Sequence, residues 1–245
     1  MKISKEDKLK TRAAIVDAAV AIIESKGYKA ATMKDISQKA GIADATIYKY
    51  FATKESIFFG YLDLRTDDLV DKLKAIKDFQ NYTLKEQLHA VLDTFFQQTK
   101  NEKKFLKLAY DYMFTNICLS IDSEAKMAKK KFTAIFADLL DAAIEAEEIP
   151  DIPFRSFVVE LFWEYLVGVT YYWINDDSKN SDATTQLIDK SLDVTVALLQ
   201  SRIMSTAFDL GKYLVREHLL SKIFNPSKKA QSIAKIKRSL FGGDE

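Results

Sequence analysis

The chain has 245 residues, 48% of them hydrophobic and 29% charged, with a formal net charge of +1 and only seven Gly and three Pro. That apolar content builds a substantial core and excludes wholesale disorder, while the scarcity of breakers argues for long helices against a turn-rich β-fold. The near-neutral balance excludes a uniformly basic protein, but the charge is uneven: residues 1–60 carry 11 Lys and Arg against 7 Asp and Glu, and the remainder 25 against 28. A basic front on a mildly acidic back suits a chain that turns one end toward a polyanion.

The first predicted helix covers residues 5–26. Ile15, Ala18, Ala19, Ile22 and Ile23 recur at three- and four-residue spacing, and Gly27 ends it in the left-handed conformation. A second helix starts at Thr32, which forms a capping box with Asp35, and buries Met33, Ile36 and Ala40. Gly41 makes the turn. The third helix runs from about Asp44 to Phe51, with Ile47 and Phe51 facing the core and Ala45, Tyr48 and Lys49 on outward faces. Thr53 opens a long helix to about Phe79 that joins this small front bundle to the body.

In the body, helices are expected at about 83–100, 102–119 and 123–147. The Lys129–Lys131 run reads as a solvated face. Pro150 and Pro153 then separate the 123–147 helix from a nearly all-apolar helix at 154–175, which needs cover on more than one side. Its run from Phe157 to Ile174 is long enough to span a membrane, but Glu160 and Glu164 inside it argue against a span. A helix at 183–203 follows. A further amphipathic helix is marked by Phe208, Leu214, Leu219 and Ile223 and broken by Pro226. Residues 227–241 have a basic face with Lys228, Lys229, Lys235, Lys237 and Arg238.

No catalytic or cofactor pattern occurs. His89 and His218 start no metal-ligand spacing, and there is no G-x-S-x-G, phosphate loop or G-x-G-x-x-G. Neither a metal, a cofactor nor an enzymatic activity is therefore expected. The lone Cys118 forms no disulfide within the chain and fits a reducing compartment. MKISKEDKLKTR lacks the apolar core of a secretory signal, so the expected location is the cytoplasm.

The front bundle has the parts of a helix-turn-helix for DNA. Thr32 sits at a helix start, where hydroxyl and N–H groups suit a phosphate. Tyr48 offers a ring to a thymine methyl or sugar, and Lys49 reaches guanine acceptors or a phosphate. Tyr50 offers its hydroxyl, and Lys54 adds a charge at the next helix start, as a second phosphate clamp. The same segment resembles the DNA-binding domain of the tetracycline-repressor (TetR) family of bacterial transcription regulators. It matches at Gly27, Tyr28, Thr32, Met33, Ile36, Ala40, Gly41, Ile42, Ala45, Ile47, Tyr48, Tyr50, Phe51, Thr53, Lys54, Glu55 and Ile57 in register. Two positions depart from the family pattern. Ser37 replaces a small alanine, and Ala43-Asp44 stands where a serine and often a lysine occur. Asp44 either caps the third helix, the preferred role, or accepts from a cytosine amino group.

With the resemblance confined to about residues 8–60, the chain reads as an all-α protein in three parts. Residues 1–55 form the helix-turn-helix domain, residues 56–203 a helical ligand-binding and dimerisation body, and residues 204–245 a C-terminal helical extension. The resemblance further implies a homodimer on a near-palindromic double-stranded operator. Its recognition helices enter successive major grooves, about 34–36 Å apart in the usual helix-turn-helix case. The helices at 154–175 and 183–203 are the candidate interface, through Phe157, Leu161, Tyr165, Leu187, Val194 and Leu198. A small apolar effector in the body would move the connector helix and release a repressor. Tyr110, Phe114, Phe132, Phe136, Trp163 and Tyr171 are its candidate lining. The alternatives are gating by a protein partner, and a helical carrier of lipid whose front bundle no longer binds DNA.

Overall fold

The computed structural model describes residues 4–115, 123–152, 154–201 and 203–214, and among these there is no strand. The head holds α1 (Lys5–Lys26), α2 (Met33–Lys39) and α3 (Asp44–Ile47). Then α4 (Lys54–Ala75) runs from the head into the body, which comprises α5 (Leu84–Thr99), α6 (Lys103–Thr115), α7 (Ser123–Glu145), α8 (Arg155–Ile174) and α9 (Asp182–Gln200), followed by α10 (Ile203–Leu214). The predicted helices at 204 and beyond reach the described residues only through α10. The basic face at 227–241, Cys118 and His218 lie outside them.

The head follows its local signals. Ser4, Thr32 and Thr53 cap α1, α2 and α4 with their hydroxyls, and Thr32–Asp35 forms the reciprocal box. Gly27 has φ 82° and ψ 157°, a region open to glycine alone. It lies beyond the left-handed helical region expected of it, and it lets the loop leave α1 sharply. Ile15, Ala19, Ile36 and Ile47 are fully buried, so three short helices close over one small core.

The connector is shorter than expected. It ends at Ala75 because Ile76 turns extended, and Asp78 is left-handed before a short 3-10 turn at Phe79–Asn81. The end of α7 is fixed likewise by a left-handed Glu147. The Glu148 carboxylate beyond it accepts the Leu84 N–H at 2.9 Å, which ties α7 to the start of α5. The body core is aliphatic and aromatic: Leu88, Leu92, Phe105, Leu106, Leu140 and Leu192 are inaccessible or nearly so.

Candidate nucleic-acid interface and body cavity

Regular helix in α3 is limited to four residues. Beyond it the chain stays helical in turn, because the N–H groups of Lys49, Tyr50 and Phe51 donate to Thr46 and Ile47 carbonyls at 2.9–3.0 Å. Ile47 and Phe51 are buried under this segment. Asp44, Ala45, Tyr48 and Lys49 are exposed on it together, Tyr48 to 58%. The structure thus brings the four expected base-facing residues onto one free face. Tyr50 is half-buried against the core.

One expectation is corrected, and two other expected contact residues are engaged within the head. Asp44 does not cap α3: the cap position is Ala43, which makes no side-chain bond. Asp44 Oδ1 instead accepts from the buried Ser37 hydroxyl at 2.6 Å. The Lys54 ammonium is engaged within the head. Its Nζ donates to the Tyr28 and Ala31 carbonyls at 2.6 and 2.7 Å and lies 4.9 Å over the Tyr28 ring. Burial lowers its pKa, and the loop carbonyls that would otherwise be left dry explain the placement. Thr32 likewise has its donors engaged, since its hydroxyl and its N–H both reach Asp35 Oδ2. The Asp35 carboxyl is held down at about 2 by Lys26, 2.7 Å away, and by Thr32. Lysines that the sequence reading passed over, Lys29, Lys34 and Lys39, are exposed on the loop and helix flanking the turn. Their signal was only their number.

An aromatic stack and a cluster of ion pairs join the head to the body. Tyr28 stacks on Tyr112 of α6 with ring centroids 4.4 Å apart. Arg12 of α1 pairs with Glu124 of α7 at 2.5 Å and with Asp63 of α4 at 3.6 Å, while Lys131 of α7 reaches Asp63 at 2.8 Å and Asp67 at 2.7 Å. The lysine run is therefore not simply solvated: Lys131 binds α4, and Lys129 pairs with Glu160 and Glu164 of α8.

Behind the head the body forms a partly open cavity of about 460 Å³. Four of its wall residues, Phe58, Phe59, Leu62 and Thr66, belong to the connector. Phe95, Tyr110, Phe132, Trp163, Leu166, Val167 and Thr170 complete most of the lining, and Lys126, Lys129 and Glu164 add charge. Of the expected lining residues, Tyr110, Phe132 and Trp163 are there. Burial pushes the Tyr110 phenol up to about 12, against the pull of the Thr170 hydroxyl. Phe136 is not on the wall. It lies one turn beyond Phe132 and stacks flat on Phe162, with centroids 3.7 Å apart. Tyr171 falls on the outward face of α8 and is 46% exposed. The Phe114 side chain lies outside the described residues. The connector residues were missed because Phe58 and Phe59 beside Ile57 read as core. A helix needing only one apolar stripe had more than one, and that surplus was the available signal.

The outer faces of α8 and α9 carry Phe157, Leu161, Leu187, Val194 and Leu198, all exposed, Val194 to 61%. Tyr165 is half-buried instead, its hydroxyl 2.7 Å from Ser191 Oγ, joining the two helices within the chain. Among the described residues no helix is long and apolar enough to cross a membrane.

A helix-turn-helix head with an exposed reading face, carried into a wholly helical body by one long helix, is the architecture of a DNA-binding regulator. Residues 15–72 match the model for bacterial regulatory proteins of the tetR family, and residues 87–214 match the tetracyclin repressor-like C-terminal domain. The chain belongs to the TetR family, a non-enzymatic family, and it is a DNA-binding transcription regulator. Among its relatives is a fatty acid metabolism regulator protein of Bacillus subtilis (strain 168), 24% identical over 166 residues that make up 67% of this chain and 84% of that protein. Another is the HTH-type transcriptional activator FasR of Mycolicibacterium smegmatis, 24% identical over 68% of this chain and 73% of its own. The crystal structure of the regulator FadR from Bacillus subtilis in complex with stearoyl-CoA superposes with a TM-score of 0.57 at 22% identity. It covers 74% of this chain and 96% of that one, a likeness of fold.

Proposed function

We propose that this regulator is a cytoplasmic homodimeric repressor that leaves its operator when a long apolar chain with an anionic end fills the body cavity. The observation that carries the reading is the wall of that cavity. Four of its residues stand on α4, the helix whose first residue follows the reading segment by three positions. A ligand packed against Phe58, Phe59, Leu62 and Thr66 presses on the element that sets the head's position. Its leverage is its preference for one head spacing over another. The volume falls within the range of about 300–1,000 Å³ usual for small-molecule sites, and an unfilled body of this kind favours a small effector over gating by a protein partner. Two similar proteins support an acyl ligand, one a regulator of fatty acid metabolism and one crystallised with stearoyl-CoA. Lys126 supplies a cation for the anionic end.

In this reading Asp44, Ala45, Tyr48 and Lys49 face base edges, while Tyr50, Lys34 and Lys39 meet phosphates. Thr32 and Lys54 hold the loop and α2 in place. Selection of binding sites from random DNA, repeated at rising salt, tests the interface. Affinity should fall steeply as salt rises, because displaced counterions drive binding. Tyr48→Ala and Lys49→Ala should change the selected sequence, whereas Lys34→Ala should weaken all sequences alike. A chain that enriches no sequence contradicts the reading.

The exposed stripe on α8 and α9 is the proposed dimer face. Introducing a charge there, as Val194→Glu, should convert a sedimenting dimer to monomer, since an unpaired carboxylate in an apolar interface is costly. A dimer of unchanged mass would remove α9 from the interface.

A further inference from the structure

The two departures from the family pattern, Ser37 and Asp44, meet in space. Ser37 is fully buried on α2, and its hydroxyl lies 2.9 Å from the Lys34 carbonyl and 2.6 Å from Asp44 Oδ1. One proton serves both acceptors, and the nearer, charged one takes the stronger bond. Asp44 is exposed on the reading face beside Ala45, and neither helix capping nor an ion pair engages it among the described residues. A short side chain that would otherwise sample several rotamers is thus held through Oδ1, and its second oxygen remains an acceptor on an exposed residue.

We infer that Asp44, braced by Ser37, selects a cytosine at one position of each operator half-site by accepting a hydrogen bond from its exocyclic N4 amino group. This rests on the chain binding DNA through the 44–49 face. A carboxylate only accepts. Guanine and thymine offer it acceptors in the major groove, and adenine sets its N7 lone pair beside its amino group. Cytosine offers a donor with no neighbouring acceptor. The carboxylate also repels phosphates, so it lowers affinity for every sequence and restores it where the amino group is met. Ser37 acts as a positioning residue: it holds the acceptor at one place and touches no base.

The test is selection from random DNA with the full chain and with Asp44→Asn, Asp44→Ala and Ser37→Ala, each first checked for an unchanged melting temperature. Wild type should yield an inverted repeat with one fixed cytosine per half-site that both Asp44 variants release. Discrimination at that position should fall about 10-fold or more, and the rest of the site should stay as it was. Asp44→Asn should bind non-cognate DNA more tightly than wild type. Ser37→Ala should keep the same preferred base with weaker discrimination. Identical selected sites for wild type and the Asp44 variants, or a wild-type preference for a base other than cytosine at the position the variants change, would overturn the inference while leaving the DNA-binding reading intact. Failure of wild type to select any site would overturn both.

Discussion

Gly60→Val should abolish operator binding and lower the melting temperature by several degrees. Gly60 is in the first turns of α4, where it faces the end of the reading segment. A Cβ there would stand 2.3 Å from Phe51 Cε1, 2.7 Å from Phe51 Cζ and 3.3 Å from Arg12 Nη2. Phe51 is 1% exposed, and the Arg12 guanidinium lies 4.6 Å over its ring, so the ring has nowhere to retreat without dragging the chain from Ile47 onward. Overpacking of this kind costs about 1–3 kcal/mol, or roughly 2–10 °C in a chain of this length. Phe51→Ala alone should cost about 3–5 kcal/mol through the void it leaves. Combined, the two changes should cost less than their sum, because the valine occupies the space of the missing ring. A thermal double-mutant cycle measures that coupling, and strict additivity would show that the contact is not the cause.

The second large effect is expected at Asp63. Its carboxylate, nearly buried, faces Arg12 from the head and Lys131 from α7. Lys131 has its pKa raised by its bonds to Asp63 and Asp67, against the lowering effect of its own burial. Asp63→Ala leaves two cations without their shared acceptor. Breaking a buried pair costs about 3–5 kcal/mol when a charge is left uncompensated, and the cost here should fall below that because Arg12 keeps Glu124 and the partly exposed Lys131 keeps Asp67. Asp63→Asn keeps an acceptor and should lose about half as much. The functional consequence should exceed the loss of stability. Arg12–Glu124 and the Tyr28–Tyr112 stack still join the head to the body, but α4 is then tied to this cluster only through the more exposed Lys131–Asp67 pair. Operator binding by Asp63→Ala should then respond weakly to ligand, while ligand affinity stays near wild type. A full response in Asp63→Ala would mean that α4 transmits alone.

The head was legible in the sequence because its determinants are local. Thr32 and Asp35, or Thr53 and the turn that follows it, are three residues apart, and a cap needs nothing else. Asp44 was misjudged for the complementary reason. Its partner, Ser37, is seven residues earlier on another helix, so no local rule reports it. The connector's early end has the same character: nothing in Lys77–Asp78 marks the left-handed turn that stops the helix. The cavity was half legible. Periodicity shows that Phe132, Trp163 and Phe136 face inward, but it does not show whether they meet a partner or a void. Phe136 meets Phe162, while Phe132 borders empty space one turn away. For α8, apolar on nearly every side, the sequence indicated two covered faces. The structure assigns Trp163, Leu166 and Val167 to the cavity and Phe157 and Leu161 to the outside.

The central claim is that a filled cavity and a bound operator oppose each other through α4. It is tested most directly by measuring operator affinity with and without a saturating acyl probe, in wild type and in Val167→Trp, whose indole would occupy the cavity. Wild type should lose affinity by about 5- to 150-fold on saturation, the span of an ordinary coupling free energy. Val167→Trp should neither bind the probe nor change its operator affinity when the probe is added. Equal operator affinity for probe-free and probe-saturated wild type would contradict the account.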